Sequence, residues 1–194
     1  MATFAEIVAD VYTMTNRPDL VNETKLAVKV ATLKAHQSDF YPKDIYETGI
    51  TWADPDYIQS IDYRTLIPRW RAFKYLRKYA DDAAGAFITL LTPEQTLDRY
   101  SINREDICYL AGESLEIRSS TADEFMILGC YINPILEENS YSSWIALDHP
   151  YAIVYEAARS IFKQVGWDEQ AAAIRQEVAE QYQILKQEVT AYGE

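Results

Sequence analysis

The spacing of apolar residues changes twice along the chain. In TFAEIVADVYTMT they fall at Phe4, Ile7, Val8 and Val11, steps of three and four that draw one apolar stripe on a helix. Thr3 with Glu6 three residues on has the form of a capping box at its start. NRPDL interrupts the pattern, and Pro18 ends one helix or opens the next. In VNETKLAVKVATLKAHQ, Leu26, Val30 and Leu33 share one side with Ala27, Ala31 and Ala35 beside them, predicting a second helix folded back on the first.

From about residue 43 the period drops to two. DIYETGITW alternates, ADPD signals a turn, YIQSID follows, and WRAFKYLRKY alternates again with Phe73, Tyr75, Arg77 and Tyr79 on one face. AFITLL is a short apolar run, and TPEQTLDRY reads as one or two helical turns opened by Thr92 and Pro93. ICYLAG and SLEIRSS form a hairpin about Gly112-Glu113, and EFMILGCYI is the last strand. After Pro134 the helical period returns at Val154, Ala157, Ala158, Ile161, Phe162 and Val165, and Gly166 terminates it. The stretch from about Asp168 to Tyr192 reads as one long helix with a narrow stripe of Ile174, Val178, Tyr182, Leu185, Val189 and Tyr192. The expected fold is therefore α+β: a helical bundle built from residues 1–42 and 135–194, carrying an antiparallel β insertion over 43–134. The end of the last helix is expected to run past its own core, so Leu185, Val189 and Tyr192 are candidate partner contacts.

With 48% hydrophobic residues, the 194-residue chain has enough apolar material for a core. No apolar run reaches the roughly 18 residues that span a bilayer, and MATFAEIVADVY has acids where a signal peptide has a basic start. The expectation is a soluble intracellular protein without a membrane partner. The net charge of −12 disfavours general attraction to nucleic acid. Cys108 and Cys130 read as reduced, half-buried strand residues. No zinc-ligand spacing, phosphate-binding glycine loop or nucleophile-elbow motif occurs, so no cofactor and no metal site is expected.

Asp148-His149 is the pair that most invites a catalytic reading. Pro150 follows, suited to a first helical turn, so Asp148 reads as a helix cap and His149 as its neighbour. The enzymatic alternative is a small hydrolase using Asp148, His149 and a serine such as Ser142 or Ser143. His36 reads as a cation at a helix C-terminus. Asp81-Asp82 and Glu137-Glu138 read as solvated acids in turns. One charge cluster stands apart: RTLIPRWRAFKYLRKY holds Arg64, Arg69, Arg71, Lys74, Arg77 and Lys78 among Trp70, Phe73, Tyr75 and Tyr79. Arg69, Arg71, Lys74 and Arg77 are candidate contacts to a neighbouring subunit or another acidic partner. Single-stranded nucleic acid is a third reading of such a pattern.

Three stretches, TNRPDLVNETKLAVKVATLKAHQSDFYPKDIYE, YLAGESLEIRSS and SWIALDHPYAIVYEAARSIFKQVGWDEQAAAIRQ, resemble in content and order the head–tail adaptor (connector) proteins of tailed double-stranded DNA bacteriophages. The resemblance covers nearly the whole chain. It implies a non-enzymatic virion protein at the neck, assembled in the host cytoplasm. It further implies a homo-oligomeric ring, usually of twelve copies, bound beneath the portal protein. That ring receives the next tail or nozzle protein, and DNA passes through its channel without sequence-specific binding. No catalytic residues come with the resemblance.

Overall fold

The computed structural model describes residues 3–51, 58–80, 83–96, 106–118 and 125–191. In chain order the elements are α1 (Phe4–Thr15), α2 (Val21–Gln37), a 3-10 turn (Pro42–Asp44), β1 (Ile45–Thr51), β2 (Ile58–Asp62), α3 (Tyr63–Leu66), β3 (Trp70–Ala80) and β4 (Ala83–Leu90). Then come α4 (Pro93–Thr96), β5 (Ile107–Ala111), β6 (Ser114–Arg118), β7 (Phe125–Ile132), α5 (Trp144–Asp148), α6 (Pro150–Gln164), α7 (Asp168–Ala173) and α8 (Arg175–Ala191). They divide into two compact units, Met1–Asp44 with Asn133–Glu194, and Ile45–Ile132. The ADPD turn, Asp81-Asp82 and Tyr192 lie outside the described residues.

In the helical unit, α6 is central and packs against α1, α2 and α8. Its Ile153, Val154, Ala157, Ala158 and Ile161 are buried, the face that the three-four spacing draws. The capping box at Thr3 forms: the Glu6 amide donates to Thr3 Oγ1 at 3.2 Å and the Thr3 amide donates to Glu6 Oε2 at 2.6 Å. At the other end of α6, Gly166 takes φ 77, the left-handed conformation that an L side chain resists. The Trp167 amide reaches back to Phe162 O at 2.8 Å and the Gly166 amide to Lys163 O at 3.2 Å, the paired bonds of a Schellman cap. The Phe162 and Trp167 rings stack across the cap with centroids 6.0 Å apart. The long C-terminal helix expected from Asp168 onward is instead two, α7 and α8, separated at Ile174.

Helix α2 is buried on a different side from the one its larger residues mark. Thr24, Ala27, Val28, Ala31, Thr32 and Ala35 are inside, while Leu26 is 63% and Val30 43% exposed. Small residues on α2 meet Ala157 and Ala158 on α6, and side chains of this size let two helices approach closely.

The expected helical bundle with an antiparallel insertion is overturned. Residues 45–132 form a seven-stranded curled mixed sheet, a half-barrel in the order β1-β7-β3-β4-β5-β6-β2, with a core of its own. The sheet is mixed because β4 and β5 run parallel, Thr89 opposite Ile107 and Leu90 opposite Cys108. A parallel pair needs a crossover of a dozen or more residues, which 91–106 supplies. One face of the curl closes on Leu76, Ile88, Cys108, Leu115, Ile117, Met126, Leu128 and Cys130, together with Tyr63 and Ile67 from α3 and its end. The sheet unit thus closes on a core of its own and is not an appendage.

Candidate interaction surface

Strand β3 sets the chemistry of the sheet's other face, and two irregularities decide which residues appear there. Its register against β7 shifts between Trp70 and Ala72 and again between Phe73 and Tyr75. Each shift is a bulge, which adds one residue and reverses the alternation. Trp70, Phe73 and Leu76, three apart, therefore all turn to the core, opposite Ile132, Cys130 and Leu128. Past the second bulge Tyr75, Arg77 and Tyr79 turn the other way, opposite Gly129, Ile127 and Phe125. Uninterrupted alternation would have placed Phe73 with Tyr75, Arg77 and Tyr79; the bulges remove it.

The outer face so formed is aromatic and cationic on β3, with the exposed Glu47 of β1 on the same side opposite Gly129. A Cβ on Gly129 would lie 2.5 Å from the Tyr75 ring, and one on Gly49 would lie 2.4 Å from the Phe125 ring. Both rings thus lie across glycines of the neighbouring strand, the packing by which aromatics cover a bare backbone. Tyr75 meets Phe87 edge-on at 5.8 Å, and Tyr79 meets Phe125 edge-on at 6.0 Å. The Arg77 guanidinium sits 5.8 Å from the Tyr75 centroid, and Lys74 Nζ sits 5.4 Å from that of Tyr131. Phe87 is 66% exposed and Phe125 43%.

Of the expected contact residues, Lys74 and Arg77 thus come together on this face. Arg71 falls at the first bulge and is half-buried. Arg69 lines a separate apolar groove with Tyr46, Leu66, Ile67, Pro68 and Ile132. Lys78 turns to the core side, where Nζ pairs with Asp106 at 2.7 Å. Leu185 is fully buried in the helical core with Ile161 and Ala171, so its side chain is packing material and not a presented contact. Val189 belongs to α8, and Tyr192 is outside the described residues. Phe87 and Phe125 escaped sequence reading because each sits in an apolar run with nothing local to say which face is bare.

No family model matches the chain, and no curated protein matches it.

The Asp148 cap also needs correcting. Asp148 is the last residue of α5, and its Oδ2 pairs with Lys43 Nζ at 2.9 Å. His149 joins α5 to α6 and makes no side-chain cap bond. The side-chain cap in this region belongs to α5, where Ser143 Oγ accepts the Ala146 amide at 3.1 Å, and α6 starts without one. Ser143 also contacts His36 Nε2 at 2.8 Å, and His36 Nδ1 contacts Asp44 Oδ1 at 2.8 Å. The Trp144 indole N–H donates to the same Asp44 oxygen at 2.8 Å. A carboxylate oxygen only accepts, so Nδ1 carries a proton toward Asp44. His36 lies in the last turn of α2, as its place in the sequence predicts, and is buried together with Asp44.

Serine, histidine and aspartate in this line are the arrangement of a hydrolytic triad. Here the serine is otherwise engaged. Its oxygen accepts the Ala146 amide in the first turn of α5 and also bonds the Tyr141 phenol and His36 Nε2. Its backbone is ordinary extended chain, φ −149 and ψ 123, unlike the strained turn that exposes a nucleophilic serine. The arrangement ties the end of α2, the 3-10 turn and the start of α5 into one buried polar strut. Nearby, Glu138 pairs with Lys25 at 2.7 Å and Lys29 at 3.5 Å, and the Lys25 bond holds its carboxyl below the usual range. Among the described residues no group of acids, histidines and cysteines is arranged to hold a metal ion, and no helix is long and apolar enough to cross a membrane.

Proposed function

We propose that this chain is a structural assembly subunit, a head–tail adaptor that builds a homo-oligomeric ring beneath a phage portal protein. Its remaining surface receives the next tail component. The observation that supports the assembly part is exposed apolar surface on each of the two units: Leu26 and Val30 on α2, and Phe87 and Phe125 on the outer sheet face. Contiguous apolar patches of this kind mark contact sites, and a ring member needs more than one. The sheet face has interface composition, with tyrosine, phenylalanine and arginine together. The phage part rests on the resemblance of the three sequence stretches. On this reading the net charge of −12 suits a wall past which DNA slides, since like charge prevents tight phosphate contacts.

The test is co-expression with the portal protein of the same phage, followed by affinity purification on the portal and negative-stain microscopy. A ring of this chain seated on one end of the portal is expected. A chain that never co-purifies with the portal, or that turns over an ester or glycoside substrate, overturns the proposal.

A further inference from the structure

We infer that the outer sheet face formed by Tyr75, Arg77, Tyr79, Phe87 and Phe125 docks on the exposed ridge of α8, Glu177, Glu180 and Ile184, of a second copy of this chain. The inference rests on the assembly reading and gives it a specific contact. The face is pre-arranged for binding. Two of its rings lie across glycines and two pairs are fixed edge-on, so little side-chain freedom remains to be lost. Arg77 Nε is buried without a hydrogen-bond partner among the described residues, so part of the guanidinium is already withdrawn from water. A carboxylate arriving at such a group is screened less than at a fully hydrated one.

The occupant must then bring carboxylates beside an apolar side chain. Among the described residues of the helical unit, α2, α5, α6 and α8 each expose a large apolar side chain. Leu147 on α5 and Tyr151 on α6 lie next to Asp148, whose carboxylate is already paired with Lys43. The surface of α2 has Leu26 and Val30, but Lys25 and Lys29 alternate with them, the wrong sign to face Arg77 and Lys74. That of α8 has Glu177 and Glu180 at one end and Ile184, 42% exposed, at the other, spaced three and four apart on one side of the helix. The ridge is about 10 Å long at 1.5 Å per residue, and Tyr75 to Tyr79 spans about 13 Å along the strand. The lengths and the charges both match. Since face and ridge are different surfaces, each copy offers one of each, and successive copies join head to tail into a ring or a filament.

The experiment uses the full chain and analytical ultracentrifugation over salt from about 0.05 to 0.5 M, the range in which screening shortens from about 14 Å to a few ångströms. Arg77→Glu and Glu180→Arg should each weaken self-association about tenfold or more at low salt, and the two together should restore most of it. Phe87→Ala should weaken association at every salt concentration with the circular dichroism of the folded chain unchanged. A wild-type chain that stays monomeric at every concentration overturns the inference, as does association indifferent to Arg77→Glu, or a double variant weaker than both singles. Capture of an oligo-dT strand that Arg77→Glu abolishes, with self-association untouched, assigns the face to single-stranded nucleic acid and also overturns it. Portal co-purification separates this result from the adaptor reading. Self-association that obeys the charge swap without portal capture sustains the contact and sinks the adaptor. Portal capture by a chain indifferent to Arg77→Glu does the reverse.

Discussion

Replacing Ser143 by alanine tests whether its hydroxyl is a strut or a nucleophile. The substitution removes the cap of α5, a loss of about 0.5–2 kcal/mol, and takes from His36 Nε2 its hydrogen-bond partner at a site only 2% exposed. A buried polar atom left without its partner costs about 1–3 kcal/mol. The sum centres near 3 kcal/mol, a large share of the roughly 5–15 kcal/mol that holds a typical domain, and lowers Tm by about 6–12 °C. Urea unfolding followed through tryptophan fluorescence is the assay, since Trp144 is itself bonded into the network through Asp44. His36→Ala should cost a similar amount, and the double variant less than the two single losses added, because both break the same bond. The strut reading fails if Ser143→Ala shifts stability by under about 0.5 kcal/mol. It fails equally if a fluorophosphonate labels Ser143 in the folded chain.

Leu185→Ala should destabilise the chain by about 2–5 kcal/mol, as for a leucine emptied from a closed core; a loss under 1 kcal/mol in thermal unfolding would return the end of α8 to the surface. Gly166→Ala forces a side chain into φ 77 and should cost about 1–2 kcal/mol, read from the same melts. Burial pushes the Cys108 thiol up from 9.0 to about 12 and the Cys130 thiol to about 11. Neither should react with a disulfide reagent at pH 8 until denaturant is added. The same shifts predict alkaline sensitivity. The folded chain keeps protons that the unfolded chain releases, so this contribution is whole below pH 9.0 and drains away as pH rises toward about 12; a flat urea midpoint over that span would contradict it.

What the sequence made legible was local. The Thr3–Glu6 box, the Gly166 stop, the Gly112-Glu113 hairpin and the inward side of α6 each depend on residues within a few positions of one another. Three features were not legible, for three reasons. Bulges in β3 leave no mark on composition, so Phe73 could not be separated from Tyr75. Helix α2 buries alanine and threonine because close approach to α6 outweighs the hydrophobicity of Leu26 and Val30. The strut joins His36 to Ser143 across 107 positions, and no window along the chain sees both. The basic cluster on β3 could be read as a cluster, but which of its members share a face depended on the bulges.

The sheet unit begins and ends on neighbouring strands, with Ile45 directly opposite Tyr131. Its two chain ends therefore leave side by side, and a two-residue turn could replace all that lies between them without stretching the remainder. During synthesis the same arrangement sets an order of events. The α1–α2 pair leaves the ribosome before the sheet, with Val11, Val28 and Ala31 uncovered, and the whole half-barrel is made before α6 exists to cover them. Truncated products that stop near residue 140 would carry a finished sheet and an orphaned helix pair, and the pair, not the sheet, is where a chaperone or a protease would take hold.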